Sequence, residues 1–244
     1  MHPVNKILYY LGAKLVRVKK APKEFISDYK IHFRILKENP PNGFKVAKNF
    51  FCGIGSHPKN HFDHECEFAS EHIFKLKPKD ILDIGSYRLL IIGLLGHYQV
   101  TTIDVRERVT SLLNETVITC DAKKLNLEKD SFDMVLSLCS LEHFGLGGYG
   151  DEFDMQADKK AFSEMKRVLR PGGHLIFTTT MTSSKPSIEF NMYRNYSYEM
   201  IREFCDGLKC IEEKFYSNDI SDFVSLRELC TKAGYDVYFG CWQK

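Results

Sequence analysis

Three aspartates are the first residues in this sequence whose placement suggests chemistry. Asp83 lies in Ile-Leu-Asp-Ile-Gly-Ser (81–86), Asp104 closes Thr-Thr-Ile-Asp (101–104), and Asp121 stands in Cys-Asp-Ala (120–122). Each sits at or near the end of a short apolar run. An acid in the position of Asp104 can accept two hydrogen bonds from ribose hydroxyls. Asp121, with Ala122 beside it, is placed to meet the edge of an adenine ring. Asp83 can orient the turn that follows or accept from a cationic amino group. Gly85 allows the backbone to approach a ligand with no Cβ in the way. A second reactive group is Glu142-His143, followed by Gly145, Gly147, Gly148 and Gly150 with Tyr149 among them. His143 suits a general base for an acceptor hydroxyl, because an unperturbed imidazole titrates near neutrality. Glu142 would orient it or bind the acceptor. The alternative makes both structural, with Glu142 capping a helix or bonding to loop amides. The four glycines imply a tight loop suited to covering a substrate.

These groups need a scaffold, and one is legible from about residue 80. Apolar runs at 81–84, 100–104, 116–120, 132–140 and 174–180 read as strands. So do 208–216 and 235–242. Helical spacing covers 88–97, 157–169 and 196–206, with 223–233 read as a further helix. Phe162, Met165, Val168 and Leu169 line one side of the second of these. Arg170-Pro171-Gly172-Gly173 then stops that helix and turns the chain. Alternating strands and helices over this length imply βα units around a mainly parallel sheet, with helices on both faces. In such sheets ligands bind outside the carboxyl ends of the strands, where the three aspartates lie. A further helix is expected over 63–76, where Phe68, Ala69, Ile73 and Phe74 recur at near-helical spacing. The expected division is an N-terminal, partly helical appendage (1–62) and a main domain (63–244).

Composition narrows the classes. The 244 residues are 43% apolar and 27% charged, as in ordinary globular proteins, and the net charge of +2 supplies no field for nucleic acid. Eight cysteines form no Cys-x-x-Cys pair and read as small buried thiols in a reducing compartment, so a cytoplasmic location is expected. His57, His61, His64 and Cys66 match no familiar zinc spacing, and no metal is expected. No apolar run reaches the ~18–20 residues that cross a bilayer. Residues 1–20 combine an apolar stripe with a basic flank. That pattern fits a cap on the core, a partner-docking helix, or a peripheral contact with the cytosolic face of a membrane.

The turn after the first strand reads Gly85-Ser86-Tyr87-Arg88-Leu89-Leu90. A dinucleotide would favour the Gly-x-Gly-x-x-Gly turn for its diphosphate, and the two later glycines are missing. A ligand without phosphates loses less by this. S-adenosylmethionine is such a ligand. Arg88 is a candidate partner for its carboxylate, or a surface residue of the helix.

With these residues assembled, a resemblance is evident. Residues 81–86, 102–106, 120–122, Ser131-Phe132-Asp133 and 167–173 resemble successive motifs of the class I S-adenosylmethionine-dependent methyltransferases. The resemblance implies a Rossmann-like fold with a mainly parallel seven-stranded sheet. A narrower resemblance is to the methyltransferase-like group catalogued as DUF268. It rests on 83–86, Leu141–Gly147 with Tyr149-Gly150-Asp151, the ending Tyr238-Phe239-Gly240-Cys241-Trp242, and Asn191, Arg194 and Tyr196. Members of that group often carry Arg where this chain has Gly148. The resemblance implies cofactor contacts at Asp83, Gly85, Ser86, Asp104, Asp121 and Ala122. It also implies substrate contacts at Tyr149, Asn191 and Arg194, and O-methyl transfer to a small-molecule or glycan acceptor with His143 and Glu142 assisting. The alternative is a methyltransferase-fold binding or scaffold protein that no longer catalyses.

Overall fold

The computed structural model describes residues 21–52, 60–108, 112–232 and 234–244. It divides into two compact units, one ending at Pro58 and one spanning Lys59–Lys244. Residues 1–20, with their basic stripe, and His57 lie outside the described residues.

In the first unit helix α1 (Lys23–Glu38) runs from Pro22 to Asn39 and buries no residue fully. Its apolar contacts are aromatic. Phe50 meets Tyr29 and Phe25 edge-on, at 5.1 and 5.9 Å between ring centres, and the Tyr29 hydroxyl donates to the Asn49 carbonyl.

The second unit begins with α2 (His61–Leu76). Asn60 caps it by accepting from the Asp63 amide, and Lys77 ends it in a left-handed conformation. Its inward face is His61, Glu65, Phe68, Ala69, His72 and Ile73, whereas Phe74 points to solvent. Then come β1 (Asp80–Ile84), α3 (Arg88–Leu94), β2 (Gln99–Asp104), β3 (Glu115–Thr119) and β4 (Phe132–Leu138). A single 3-10 turn (Leu141–His143) follows, then α4 (Ala157–Val168), β5 (Leu169–Met181), the hairpin β6 (Ser187–Glu189) and β7 (Tyr193–Asn195), and α5 (Tyr198–Phe204). The chain finishes with β8 (Lys209–Ser217), β9 (Asp222–Val224) and β10 (Asp236–Gln243).

The main sheet has eight strands in the order β3-β2-β1-β4-β5-β10-β8-β9. The first five run parallel, while β10 is antiparallel to both β5 and β8, and β9 is antiparallel to β8. The sheet is therefore mainly parallel, as expected, but has eight strands rather than seven, the last three forming an antiparallel flank. Near-complete burial of Ile81, Leu82, Ile84, Met134, Val135 and Leu136 explains why the central strands are apolar throughout. Each such side chain stabilises the fold by roughly 1.5–3 kcal/mol relative to exposure. One core cluster, on Leu82, Ile84, Phe162 and Phe177, lies under α4 and α5; the other, on Ile81, Met134 and Phe239, lies under α2 and α3.

The helix expected over 223–233 does not form. Residues 222–224 pair with β8, and a turn follows in which Glu228 accepts from the Ser225 amide and hydroxyl. Packing overrides local helical spacing here, because Phe223 is drawn against Phe239 and Tyr216, at 5.3 and 5.6 Å. The Arg170 turn ends α4 as its sequence indicates, and β5 begins at once. Arg170 then clamps Asp80 and Asp133 at 2.8 and 2.6 Å, while Asp133 also accepts from the amides of Lys79 and Asp80. This joins the starting ends of β1, β4 and β5.

Candidate active site

The carboxyl ends of β1, β2, β3 and β4 open onto two adjoining clefts. The first, of about 650 Å³, is lined by Gly85, Asp104, Cys120, Asp121, Ala122, Ser140, His143, Phe144 and Tyr149, among others. The second, of about 720 Å³, is lined by Glu65, Ser86, Arg88, Arg108 and Leu138, among others. Gly85, Asp104, Arg106 and Cys139 border both.

Gly85 has φ +73°, and a Cβ there would stand 3.0 Å from the Cβ of Ser140. Glycine is thus required both by conformation and by close approach. Ser86 closes the turn: its amide donates to Asp83 at 3.2 Å and its hydroxyl accepts from the Leu138 amide at 3.0 Å. Asp83 is buried and lines neither cleft. Burial pushes its carboxyl up to about 6, with the bonds from Ser86 pulling the other way. In this structure it orients the turn.

Asp104 and Asp121 both face the first cleft. Asp104 is already engaged: Arg106 donates to Oδ1 from Nε (2.9 Å) and to Oδ2 from Nη2 (2.7 Å), with its amide 2.9 Å from Oδ1. Partial burial works against the Asp104 anion, but the bonds and charge of Arg106, with Arg108, hold its pKa below the ordinary value. The Arg106 guanidinium also lies 4.8 Å from the ring centre of Tyr149. Asp121 accepts from the Lys123 amide at 2.9 Å, and its carboxylate is 3.3 Å from Lys123 Nζ. Arg88 forms a fork-to-fork pair with Glu115, which Arg108 joins at 3.1 Å. Arg88 is therefore held in place by a carboxylate that it shares with Arg108.

His143 lines the first cleft, and its Nδ1 bonds to the Met192 carbonyl at the tip of the β6–β7 hairpin. A carbonyl only accepts, so Nδ1 carries the proton and Nε2 keeps a lone pair. Glu142 is buried behind it, with Oε2 accepting from Thr179 at 3.1 Å and Oε1 3.9 Å from His143 Nε2. Burial raises the Glu142 pKa, opposed by His143 and Thr179. Glu142 lines neither cleft and lies behind His143, which does.

Tyr149 lines the first cleft and meets His143 edge-on at 5.4 Å. Asp151 ties down the glycine loop, accepting from the Gly145 and Tyr149 amides at 2.6 and 3.3 Å. Gly145, at φ +72°, leaves no room for a Cβ, which would fall 2.2 Å from the Asp154 carbonyl oxygen. Asn191 is exposed at the hairpin tip and lines neither cleft. A side chain at Gly148 would meet the Asn191 carbonyl at 2.8 Å, so an arginine there needs a different hairpin position. Arg194 is buried; its Nη1 donates to the Phe144 carbonyl at 2.6 Å and its Nε lies 3.5 Å from Asp158. It holds the loop after the 3-10 turn and does not face either cleft, contrary to its expected substrate contact.

Sequence reasoning missed Arg106, Ser140 and Glu65. Arg106 lies two residues beyond Asp104, a spacing that could have signalled a local ion pair. Among the described residues no group of three or more His, Cys, Asp or Glu side chains could hold a metal ion, and no helix is long and apolar enough to cross a membrane.

The sheet, with Gly85, Asp104 and Asp121 at or just beyond the ends of successive strands, has a Rossmann-like methyltransferase fold. Residues 82–177 match the family described as a methyltransferase domain. The chain is 25% identical over 122 residues to a malonyl-[acyl-carrier protein] O-methyltransferase of Marinomonas sp. (strain MWYL1), covering 48% of this chain and 41% of the relative. The match thus spans less than half of that protein's length. Among solved structures, the fold is similar to 1,6-didemethyltoxoflavin-N1-methyltransferase of Burkholderia thailandensis, bound to 1,6-didemethyltoxoflavin and S-adenosylhomocysteine. That likeness has a TM-score of 0.57 and 14% identity, over 95% of this chain and 94% of that one. It is also similar to the N-methyltransferase NodS of Bradyrhizobium japonicum WM9 in complex with S-adenosylhomocysteine. There the TM-score is 0.54 with 16% identity, over 76% and 88% of the two chains.

Proposed function

We propose that this chain is an S-adenosylmethionine-dependent methyltransferase acting on an oxygen atom of a small acceptor. The observation that carries the reading is the first cleft itself. A glycine turn that a Cβ would fill, Asp104, and Asp121 with Ala122 stand at three strand ends beside the His143 imidazole, whose Nε2 lies 3.9 Å from Glu142 Oε1. These residues fit the group: Gly85 and Ser86 would cradle its centre, Asp104 would accept from the ribose in place of Arg106, and Asp121 and Ala122 would receive the adenine edge. Once bound, it supplies a methyl group already activated on a sulfonium.

The protein's own work is then alignment and proton removal. His143 Nε2 accepts the acceptor's proton, and the buried Glu142 carboxyl behind it stabilises the imidazolium that results. Tyr149 and the loop tied down by Asp151 cover the site and exclude water. A sugar hydroxyl is the acceptor that the DUF268 resemblance suggests. A carboxyl is the one suggested by the name of the Marinomonas relative, while the two structural neighbours named above carry N-methyltransferase in their descriptions. The test is calorimetric titration with S-adenosylmethionine, followed by transfer from labelled donor to hydroxyl, carboxyl and amine acceptors. Absence of cofactor binding overturns the reading; transfer to amines alone overturns the choice of oxygen.

A second reading, a methyltransferase-fold binding protein without catalysis, draws on the full engagement of Asp104 by Arg106. Under it, Asp104→Ala leaves cofactor affinity unchanged, because that acid never reaches a ribose.

A further inference from the structure

One buried carboxyl has no part in the chemistry above. Glu65 stands on the inner face of α2 and is 2% exposed, yet it forms part of the wall of the second cleft beside Gly85, Ser86 and Cys139. Its Oε2 accepts from the Thr178 hydroxyl at 2.6 Å, and its Oε1 is approached by the Cys139 thiol at 3.3 Å. It is therefore fixed to β5 and to the residue that follows β4. The arginines of the same cleft are fixed on the other side: Arg88 and Arg108 to Glu115 of β3, and Arg106 to Asp104 of β2. In the sheet order β1 lies between these flanks, so its Gly85-Ser86 turn separates the Glu65 carboxyl from Arg88 and Arg108, which share the one carboxylate of Glu115 and so keep a net positive charge, whereas Arg106 is matched by Asp104. That is the polarity of an α-amino acid: ammonium toward one flank, carboxylate toward the other.

We infer that the second cleft takes an α-amino-acid head group and that Glu65 is the receptor for its ammonium. The inference rests on the cofactor reading, in which this head group is the amino-acid tail of S-adenosylmethionine. It gives Glu65 the amino-group contact that the sequence offered to Asp83, which the structure buries behind the turn.

The groups facing Glu65 leave room for such a partner. From its own helix come His61, with Nδ1 at 3.8 Å, and Cys66; beyond β4 come Cys139 and, in the 3-10 turn, Glu142; and Tyr235 precedes β10. None is a cation at neutral pH. Burial, reinforced by His64, lowers His61 to about 4, and burial raises Cys139 and Tyr235. Burial also pushes Glu65 up to about 7, against the bonds from Thr178 and Cys139. An arriving ammonium favours the ionised carboxyl. The O–H bond of the acid fraction then breaks, and its proton leaves to the buffer as the ligand binds.

The test is calorimetry of the full chain at pH 7 in two buffers of different ionisation enthalpy. The probes are S-adenosylhomocysteine and 5′-methylthioadenosine, which lacks the amino-acid head. The expected result is release of about half a proton with the first and none with the second, given a carboxyl near pH 7. Glu65→Gln abolishes the release and weakens S-adenosylhomocysteine by roughly tenfold to a hundredfold, while 5′-methylthioadenosine binding is retained and reports an intact site. If Glu65→Gln does not fold, the contrast between the two probes in the wild type still decides. Binding of both probes with equal proton release, or full affinity of Glu65→Gln for S-adenosylhomocysteine, overturns this inference alone. Binding of neither probe overturns the cofactor reading as well.

Discussion

The carboxyl edge of β1 to β5 and the block of β8, β9 and β10 use the same side-chain types for different ends. At the parallel edge, Asp104, Asp121 and His143 face a cleft. In the antiparallel block, Tyr238 spends its hydroxyl on Glu213 and Trp242, Tyr198 bonds to the other oxygen of Glu213, and Asp236 holds Asn218 and Thr231. The cause is strand direction. Parallel strands deliver all their carboxyl ends to one edge, so polar terminal residues accumulate there. Antiparallel neighbours alternate, and their polar groups find partners within the sheet.

The comparison breaks most visibly if chemistry and folding fail to separate. His143→Ala is expected to lower turnover by about 10²–10⁴-fold with S-adenosylhomocysteine affinity unchanged; undiminished turnover on an identified acceptor removes His143 as the base. Its counterpart in the other flank is Trp242→Ala. Loss of this buried indole should cost about 3–5 kcal/mol in chemical unfolding and leave ligand affinity of the folded protein as it was. A parallel loss of affinity would show the two flanks to be coupled.

Next in size is a pH effect at Glu65. Its folded pKa of about 7 lies above the ordinary 4.5, so between these values the unfolded chain gives up its proton first. Rising pH therefore favours unfolding by this group, and the native state's disadvantage levels off above pH 7. Glu65→Gln should gain on the wild type across that window by on the order of 2–3 kcal/mol, measured as the difference between urea-unfolding curves. His61, depressed to about 4, acts in the opposite sense but is present in both proteins and drops out of the difference. A flat difference from pH 4.5 to 8 would show that Glu65 titrates normally.

Smaller effects test the cleft's own ion pair. Asp104→Ala should weaken S-adenosylhomocysteine by about 1–3 kcal/mol. Arg106→Ala should strengthen it by up to about 1 kcal/mol, since a largely exposed competitor for the same carboxylate is gone. If Arg106→Ala weakens binding instead, the arginine contacts the ligand rather than competing with it.

Much of the cleft edge was legible because its signals are local: an apolar run, a terminal acid, a glycine. Asp104, Asp121 and His143 each sit at the end of their own strand or turn. What stayed hidden depends on distant partners. Glu65 acquires its place from Thr178, 113 residues away, and nothing in the spacing of α2 marks it. Arg88 and Arg194 looked available for ligands because their partners, Glu115 and the Phe144 carbonyl, lie 27 and 50 residues distant. Arg170 illustrates the converse: its motif is recognisable, but its bonds to Asp80 and Asp133 secure the edge opposite the clefts. Residues 222–224 went to a strand because Phe223 packs on β10, a tertiary choice that helical spacing does not encode.

Trp242 has a consequence for optical work on this protein. It is the chain's single tryptophan, 1% exposed, with Nε1 donating to the Tyr238 hydroxyl and the Arg202 guanidinium 4.7 Å from its ring. It pairs with Leu175 and Cys210 and borders neither cleft. Its emission is therefore a blue-shifted reporter of the antiparallel flank, silent to ligand and responsive to unfolding. A ligand titration followed by intrinsic fluorescence would return a flat line from a fully binding protein.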